Sequence, residues 1–250
     1  MSTNKIALVT GAGSGIGRAT SLALINNGWT VILAGRRLNM LEETAQLAGE
    51  KISQAIPIKT DIGNQQSVIN LFAKIKSQFG RLDLLFNNAG DNVPSMPLEN
   101  VAYEEWQRVV QTNVTGTFLC SQEAFRLMKE QMPIGGRIIN NGAPSAQVPR
   151  PDAAAFTVTK YAIKGLTLAL SLEGRKYDIA CGQIDLGNVE PQIPHEPHAA
   201  KQANGTLMVE PTMDMKYVTD TILLMANLPL NTNVQFITLM PTKMPLFGRG

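Results

Sequence analysis

Short apolar runs rich in β-branched residues alternate along the chain with segments of helical length, whose apolar residues recur every three or four positions. This alternation is the mark of βαβ units: parallel strands are buried on both faces, and each helix covers the sheet with one apolar stripe. The runs predict strands over residues 6–10, 30–34, 55–58, 82–86, 137–140, 179–184 and 234–239. Helices are predicted over 15–27, 38–48, 64–78, 103–131 and 154–172. Gly28 and Gly80 stand just past the first and third helices, where a left-handed residue closes the last turn. The fold class that follows is α/β, a Rossmann-type doubly wound parallel sheet flanked by helices on both faces. No internal repeat or shift in composition marks a second unit, so residues 1–250 read as one domain.

The alternation breaks after the sixth strand. From residue 188 to about 215 the chain is rich in proline, carries His195 and His198, and shows no clear period. Ligands of open parallel sheets bind beyond the carboxyl ends of the strands. A long irregular segment at that edge reads as a substrate lid. Met208, Met213 and Met215 surround an expected lid helix and could form an adaptable apolar wall, although ordinary packing explains them as well.

The first βα turn is Thr10-Gly11-Ala12-Gly13-Ser14-Gly15-Ile16-Gly17. Glycines let a backbone turn tightly and approach a pyrophosphate, and the N–H groups of the following helix favour its negative charge. Gly11, Gly15 and Gly17 are spaced G-x-x-x-G-x-G, not the more widespread G-x-G-x-x-G. Later motifs fall in register with this turn: Asp61, Asn87-Asn88-Ala89-Gly90, Asn113 within Thr112-Asn113-Val114, and Lys160. As a set covering nearly the whole chain, they resemble the short-chain dehydrogenase/reductase family. That resemblance implies that Asp61 and Ile62 lie beside an adenine ring and that Asn88, Ala89 and Gly90 line the cofactor cleft. At the end of the second strand, Gly35 stands where NAD-using relatives carry an acid, and Arg36 and Arg37 follow. Arginines there suit a 2′-phosphate, with Ser14 as a further donor. NADP(H) is therefore the expected cofactor over NAD(H), with two solvated arginines as the plainer reading.

The resemblance also exposes a departure. Family members place a tyrosine four residues before the lysine, to exchange a proton with the substrate oxygen, and a serine thirteen residues before the tyrosine, to hydrogen-bond that oxygen. The lysine lowers the tyrosine pKa and binds the nicotinamide ribose, and an asparagine holds a relay water. Here Lys160 and Asn113 are in place, but Phe156 and Ala143 occupy the tyrosine and serine positions. Loss of a general acid costs about 10²–10⁴ in rate, and loss of one donor to a developing oxyanion about 10²–10³. Ser145 could turn toward the cleft as a substitute. Tyr161 follows Lys160 directly and points about 100° away on a helix. Three readings follow. The chain is an oxidoreductase with an atypical centre acting on a small, largely apolar carbonyl or unsaturated compound; or a catalytically silent nucleotide-binding pseudoenzyme or partner subunit; or an inactivated mutant of an ordinary NADPH-dependent ketoreductase.

Composition narrows the setting. With 44% hydrophobic and 17% charged residues, the 250-residue chain suits one globular core. A net charge of +2 gives no reason to expect nucleic acid or an anionic membrane surface. No apolar run approaches the roughly 20 residues that span a bilayer. The first strand starts too early for a signal peptide, and Cys120 and Cys181 read as free thiols, so a cytoplasmic protein is expected. His195 and His198 lack further ligands at useful spacing, so no metal is expected, although either imidazole could donate a proton. Asp185-Leu186-Gly187-Asn188 replaces the family's proline-glycine turn and suggests its own loop geometry. Trp106 reads as a packing residue. By resemblance, the helices from Tyr103 and Ala154 form an oligomer interface, a dimer or tetramer, with Ala162, Gly165 and Ala169 permitting close approach.

Overall fold

The structure, a computed structural model, describes residues 5–190, 199–202 and 204–247. Seven parallel strands form one sheet in the order β3-β2-β1-β4-β5-β6-β9. They are β1 (Ile6–Thr10), β2 (Thr30–Gly35), β3 (Ala55–Lys59), β4 (Leu84–Asn87), β5 (Gly136–Asn141), β6 (Ile179–Leu186) and β9 (Phe236–Leu239). The helices are α1 (Gly15–Asn26), α2 (Leu38–Gln46), α3 (Gln65–Phe79), α4 (Tyr103–Val110), α5 (Thr117–Glu130), α6 (Ala154–Gly174) and α7 (Met215–Asn227). A two-stranded antiparallel hairpin, β7 (Ala199–Lys201) with β8 (Leu207–Val209), stands apart from the sheet. The predicted doubly wound single domain is what the chain forms.

Strand alternation explains the two cores. Ile6, Leu8 and Ile32 point to one face, where Val68 and Phe72 of α3 and Leu119 and Leu127 of α5 cover them. Ala7, Val9, Val31 and Leu33 point to the other, against Leu24 and Ile25 of α1 and Val218 and Ile222 of α7. Each face is sealed, which is why these strands read as unbroken apolar runs. Strand order reverses between β1 and β4, leaving a crevice at their carboxyl ends.

Element ends follow local hydrogen bonding. Asn64 caps α3 by accepting from the Ser67 N–H at 2.9 Å, and Gly80, at φ 69°, closes it. β4 begins at Leu84, not Leu82, because the Gln131 side chain takes both the N–H and the C=O of Leu82. β6 runs on to Leu186 because Asp185 and Leu186 pair with Thr238 and Leu239. The helix expected over 103–131 is broken. Residues Gln111–Gly116 form a π-turn between α4 and α5. The wider turn holds Asn113 inward and brings Gly116 against Ile62, where a Cβ would sit 2.7 Å from the isoleucine side chain. Such bulges commonly mark functional positions in helices.

The lid helix expected near the methionines is absent among the described residues. Met208 lies half-exposed in β8, Met213 is buried and bridges to Val189, and Met215 opens α7. His195 and His198 lie outside the described residues. Trp106 packs with Val93, Val109, Ala155 and Met96, as its packing role requires. No described helix is long and apolar enough to cross a membrane.

Candidate functional site

The crevice begins at the turn after β1. Gly11 and Gly15 have φ of 68° and 50°, a region costly for residues with a Cβ. A Cβ on Gly17 would lie 2.2 Å from the Gly11 carbonyl oxygen and 2.6 Å from Asn88 Nδ2, so α1 packs onto the turn only through glycine. Ile16 packs into the core below. Ser14 is the N-cap of α1, but its hydroxyl caps nothing, leaving that oxygen and the first N–H groups of the helix for a ligand. The turn is braced from outside: Arg18 donates to Gly13 O at 2.7 Å and pairs with Glu43, while Thr44 donates to Ala12 O at 3.0 Å. Sequence reasoning passed over Arg18 and Thr44; an arginine directly after the last glycine was the only available signal.

Across the crevice, Thr10 ties β1 to β4. Its hydroxyl accepts from the N–H groups of Asn88 and Ala89, both at 3.0 Å, and its carbonyl accepts from Asn88 Nδ2. Asn141 donates in turn to Asn88 Oδ1 at 3.1 Å. Gly11, Gly13, Ser14, Arg36, Arg37, Asp61, Ile62, Asn88, Ala89 and Gly90 all line one cavity of about 510 Å³. Gly35, Met40, Leu41, Thr60 and Thr112 complete its wall; Thr112 belongs to the motif around Asn113, whereas Met40, Leu41 and Thr60 stand in no motif and only the fold reveals them. Both arginines are exposed, and among the described residues neither guanidinium makes a hydrogen bond or a close ion pair. Across the mouth stands Asp91. Burial works to raise its pKa, but the Arg108 guanidinium, the Asn92 N–H and the charge of Arg36 hold it below the usual carboxylate range.

A second group of residues lies beyond that cavity's lining. Asn113 is buried; its Oδ1 accepts from the Asp91 N–H at 2.7 Å, and its Nδ2 donates to Asp91 O and Thr159 Oγ1. Lys160, on α6, donates from Nζ to Asn141 O at 2.9 Å. Phe156 lies one turn earlier, with its ring centroid 5.3 Å from Nζ. Burial pushes the Lys160 pKa down to about 8, partly offset by Asp185. Ala143 sits at the end of β5 in extended backbone and is 7% exposed. Ser145 is buried in the short turn after it. Tyr161 points elsewhere, donating to the Gln147 carbonyl at 2.7 Å.

Near the end of β6, Asp185 is fixed against the end of β5. Asp185 is buried and accepts from Gln147 Nε2 at 2.8 Å and Gln183 Nε2 at 2.7 Å. A Cβ on Gly142 would lie 1.9 Å from Asp185 Oδ1 and 2.5 Å from Gln183 Nε2, so any other residue beside Ala143 would displace this hydrogen-bonded pair. Burial pushes the Cys120 and Cys181 thiols up to about 12, so neither is a nucleophile. Among the described residues no cluster of histidine, cysteine and carboxylate side chains could hold a metal.

The sequence model described as short chain dehydrogenase matches residues 5–202. A 3beta-hydroxysteroid dehydrogenase of Mediterraneibacter gnavus is 34% identical over 180 residues, which span 72% of this chain and 64% of that relative. The 3-ketoacyl-(acyl-carrier-protein) reductase of Brucella melitensis, solved with NADH, superposes with a TM-score of 0.82 at 24% identity, over 94% of this chain and 96% of that one. An alcohol dehydrogenase of the archaeon Thermococcus sibiricus, solved with 5-hydroxy-NADP, gives 0.80 at 21% identity, over 94% and 95%. With the family pattern matched along most of its length and the fold shared throughout, the chain belongs to the short-chain dehydrogenase family of oxidoreductases.

Proposed function

We propose that the protein is an NADP(H)-binding oxidoreductase of this family whose hydroxyl-based carbonyl chemistry is disabled. The observation that carries the cofactor reading is the pair Arg36 and Arg37. Both line the cavity at the end of β2, neither makes a hydrogen bond or a close ion pair among the described residues, and Gly35 supplies no carboxylate to repel a phosphate. The residues fit a dinucleotide in other respects. The glycine turn leaves helix N–H groups and the Ser14 oxygen unspent for a pyrophosphate and a 2′-phosphate. Asp61 and Ile62 flank the adenine end, while Asn88, Ala89, Gly90 and Lys160 lie toward the ribose of the nicotinamide. When bound, the nicotinamide supplies two-electron redox chemistry.

The chain's own residues would do the following. Lys160 supplies charge beside Phe156, and Asn113 fixes the loop at Asp91. Ala143 and Phe156 present no group able to donate a proton to a substrate oxygen. Tyr161 does not fill the gap, because its hydroxyl is spent on the Gln147 carbonyl, and Ser145 sits two residues past Ala143 in the turn after β5. The substrate class is a small, largely apolar carbonyl or unsaturated compound. The β7–β8 hairpin serves as its lid, held by ion pairs from Lys201 to Asp152 at 2.7 Å and from Arg150 to Glu210 at 3.5 Å. Exposed Phe118, Val158, Leu168 and Leu172 on α5 and α6 supply an apolar face for self-association as a dimer or tetramer in the cytoplasm. The second reading, a nucleotide-binding pseudoenzyme or partner subunit, is favoured by the simultaneous presence of Ala143 and Phe156.

Arg36→Ala is expected to weaken NADPH binding by about tenfold and leave NADH binding within about twofold, the worth of one charge-assisted phosphate contact. Titration of protein fluorescence with each nucleotide reads both constants. Equal weakening of the two would sink the 2′-phosphate assignment, and absence of binding to either in the parent chain would sink the cofactor reading altogether.

A further inference from the structure

The absence of a phenol leaves an amine without its customary neighbour. Among the described residues Lys160 Nζ makes one hydrogen bond, to the Asn141 carbonyl, and no carboxylate or hydroxyl lies within hydrogen-bond reach of it. The Phe156 ring covers one side. Asp185 is the carboxylate whose charge reaches Lys160, but both its oxygens are occupied by the amides of Gln147 and Gln183. The lysine is nevertheless partly exposed, at the end of the sheet where substrates of this fold approach. Asn141, whose carbonyl holds Nζ, adds a second feature: among the described residues its buried side-chain Oδ1 has no hydrogen-bond partner. A polar atom in that state costs free energy until it meets a donor.

We propose that Lys160 is a carbonyl-capturing amine, condensing with small apolar aldehydes to form an imine in the protein without bound nucleotide. The neutral Nζ attacks the carbonyl carbon, forming the N–C bond, and the C=O π pair moves to oxygen, which gains the proton lost by nitrogen. Departure of that hydroxyl as water, with the second amine proton, gives the imine. The balance is one amine plus one aldehyde to one imine plus one water, with no oxidant or reductant. A depressed lysine pKa, here about 8, is how desolvated lysines become nucleophilic near neutrality. This activity goes beyond the oxidoreductase reading, because it requires no nicotinamide.

The test uses the full chain without nucleotide, limiting hexanal and cyanoborohydride, which fixes any imine as a secondary amine, followed by peptide mapping. Lys160 is expected to be labelled at least about tenfold faster than the exposed Lys51 or Lys201 near pH 8, given its larger neutral fraction. In urea-unfolded protein the preference should vanish, which shows that selectivity comes from the fold without relying on any variant. Lys160→Arg should lose that label while the other lysines keep theirs. Labelling of native Lys160 no faster than Lys51 overturns the proposal, as does a preference that persists after unfolding. NADPH titration is read separately, so failure of this proposal leaves the cofactor reading standing.

Discussion

Ala143→Ser combined with Phe156→Tyr is expected to raise NADPH-dependent ketone reduction by roughly 10³-fold or more over the parent chain. The two new groups act on one atom. Tyrosine would deliver the proton to the substrate oxygen, and serine would donate a hydrogen bond to the same oxygen as charge develops on it. Because such groups work as a unit, each single reversion should recover far less than the square root of the double effect. The backbone is ready to receive them. Ala143 is extended at the end of β5, and Phe156 already stands one helical turn before Lys160 with its ring beside Nζ. The lysine charge would lower the restored phenol's pKa, as a cation near an acid does. Loss of reduced-nicotinamide absorbance with a panel of small ketones gives the rate. A double variant that binds NADPH and folds, yet reduces nothing faster than its parent, would show that these positions are not the reacting centre. A variant that loses an activity present in the parent would show that alanine and phenylalanine are themselves functional.

The doubly wound sheet was legible because its evidence is redundant. β1, β2 and β6 are buried on both faces, so their apolar runs announce themselves without any partner being known. The glycine turn was legible for a similar reason. Gly17 has no room for a Cβ, so the residue type records the packing. What the pattern could not show was conformation within a continuous apolar period. The π-turn over Gln111–Gly116 leaves the helical pattern nearly intact, and only the inward hydrogen bonds of Asn113 disclose it. The wall formed by Met40 of α2, Thr60 just after β3 and Thr112 in the π-turn comes together only in the fold, because these residues lie on elements far apart in the chain. Likewise Asp185 and Gly142 are 43 positions apart, and their steric exclusion becomes visible only when β5 and β6 lie side by side. The hairpin β7–β8 was missed because three-residue strands are too short to show a period, and its edges are set by charge pairs instead.

Lys160→Met is expected to stabilise the nucleotide-free protein at pH 7 while abolishing tight nucleotide binding. In the folded chain, burial lowers the lysine pKa from 10.5 to about 8. Below about pH 8 the amine is charged in both states, so the folded protein bears the whole cost of burying that charge. Between about 8 and 10.5 the unfolded chain holds more protons at this site, so this group's contribution makes stability rise with pH across that window. A depression of this size corresponds to roughly 3 kcal/mol at neutral pH. Methionine fills a similar volume without the charge, but it leaves the Asn141 carbonyl without its donor, which takes back about 1 kcal/mol. The net gain of about 2 kcal/mol should appear in urea unfolding at pH 7 as a higher midpoint with an unchanged slope. Toward pH 10 the variant's advantage should shrink and then reverse, because the parent's lysine is then largely neutral when folded and still keeps its hydrogen bond to Asn141. An advantage that stays constant from pH 7 to 10 would mean that packing, not charge burial, separates the two proteins. A destabilised variant at pH 7 would mean that the Asn141 contact outweighs desolvation. The pairing of higher stability with lost binding is the expected signature of a charge kept in a costly place for the ligand it meets there.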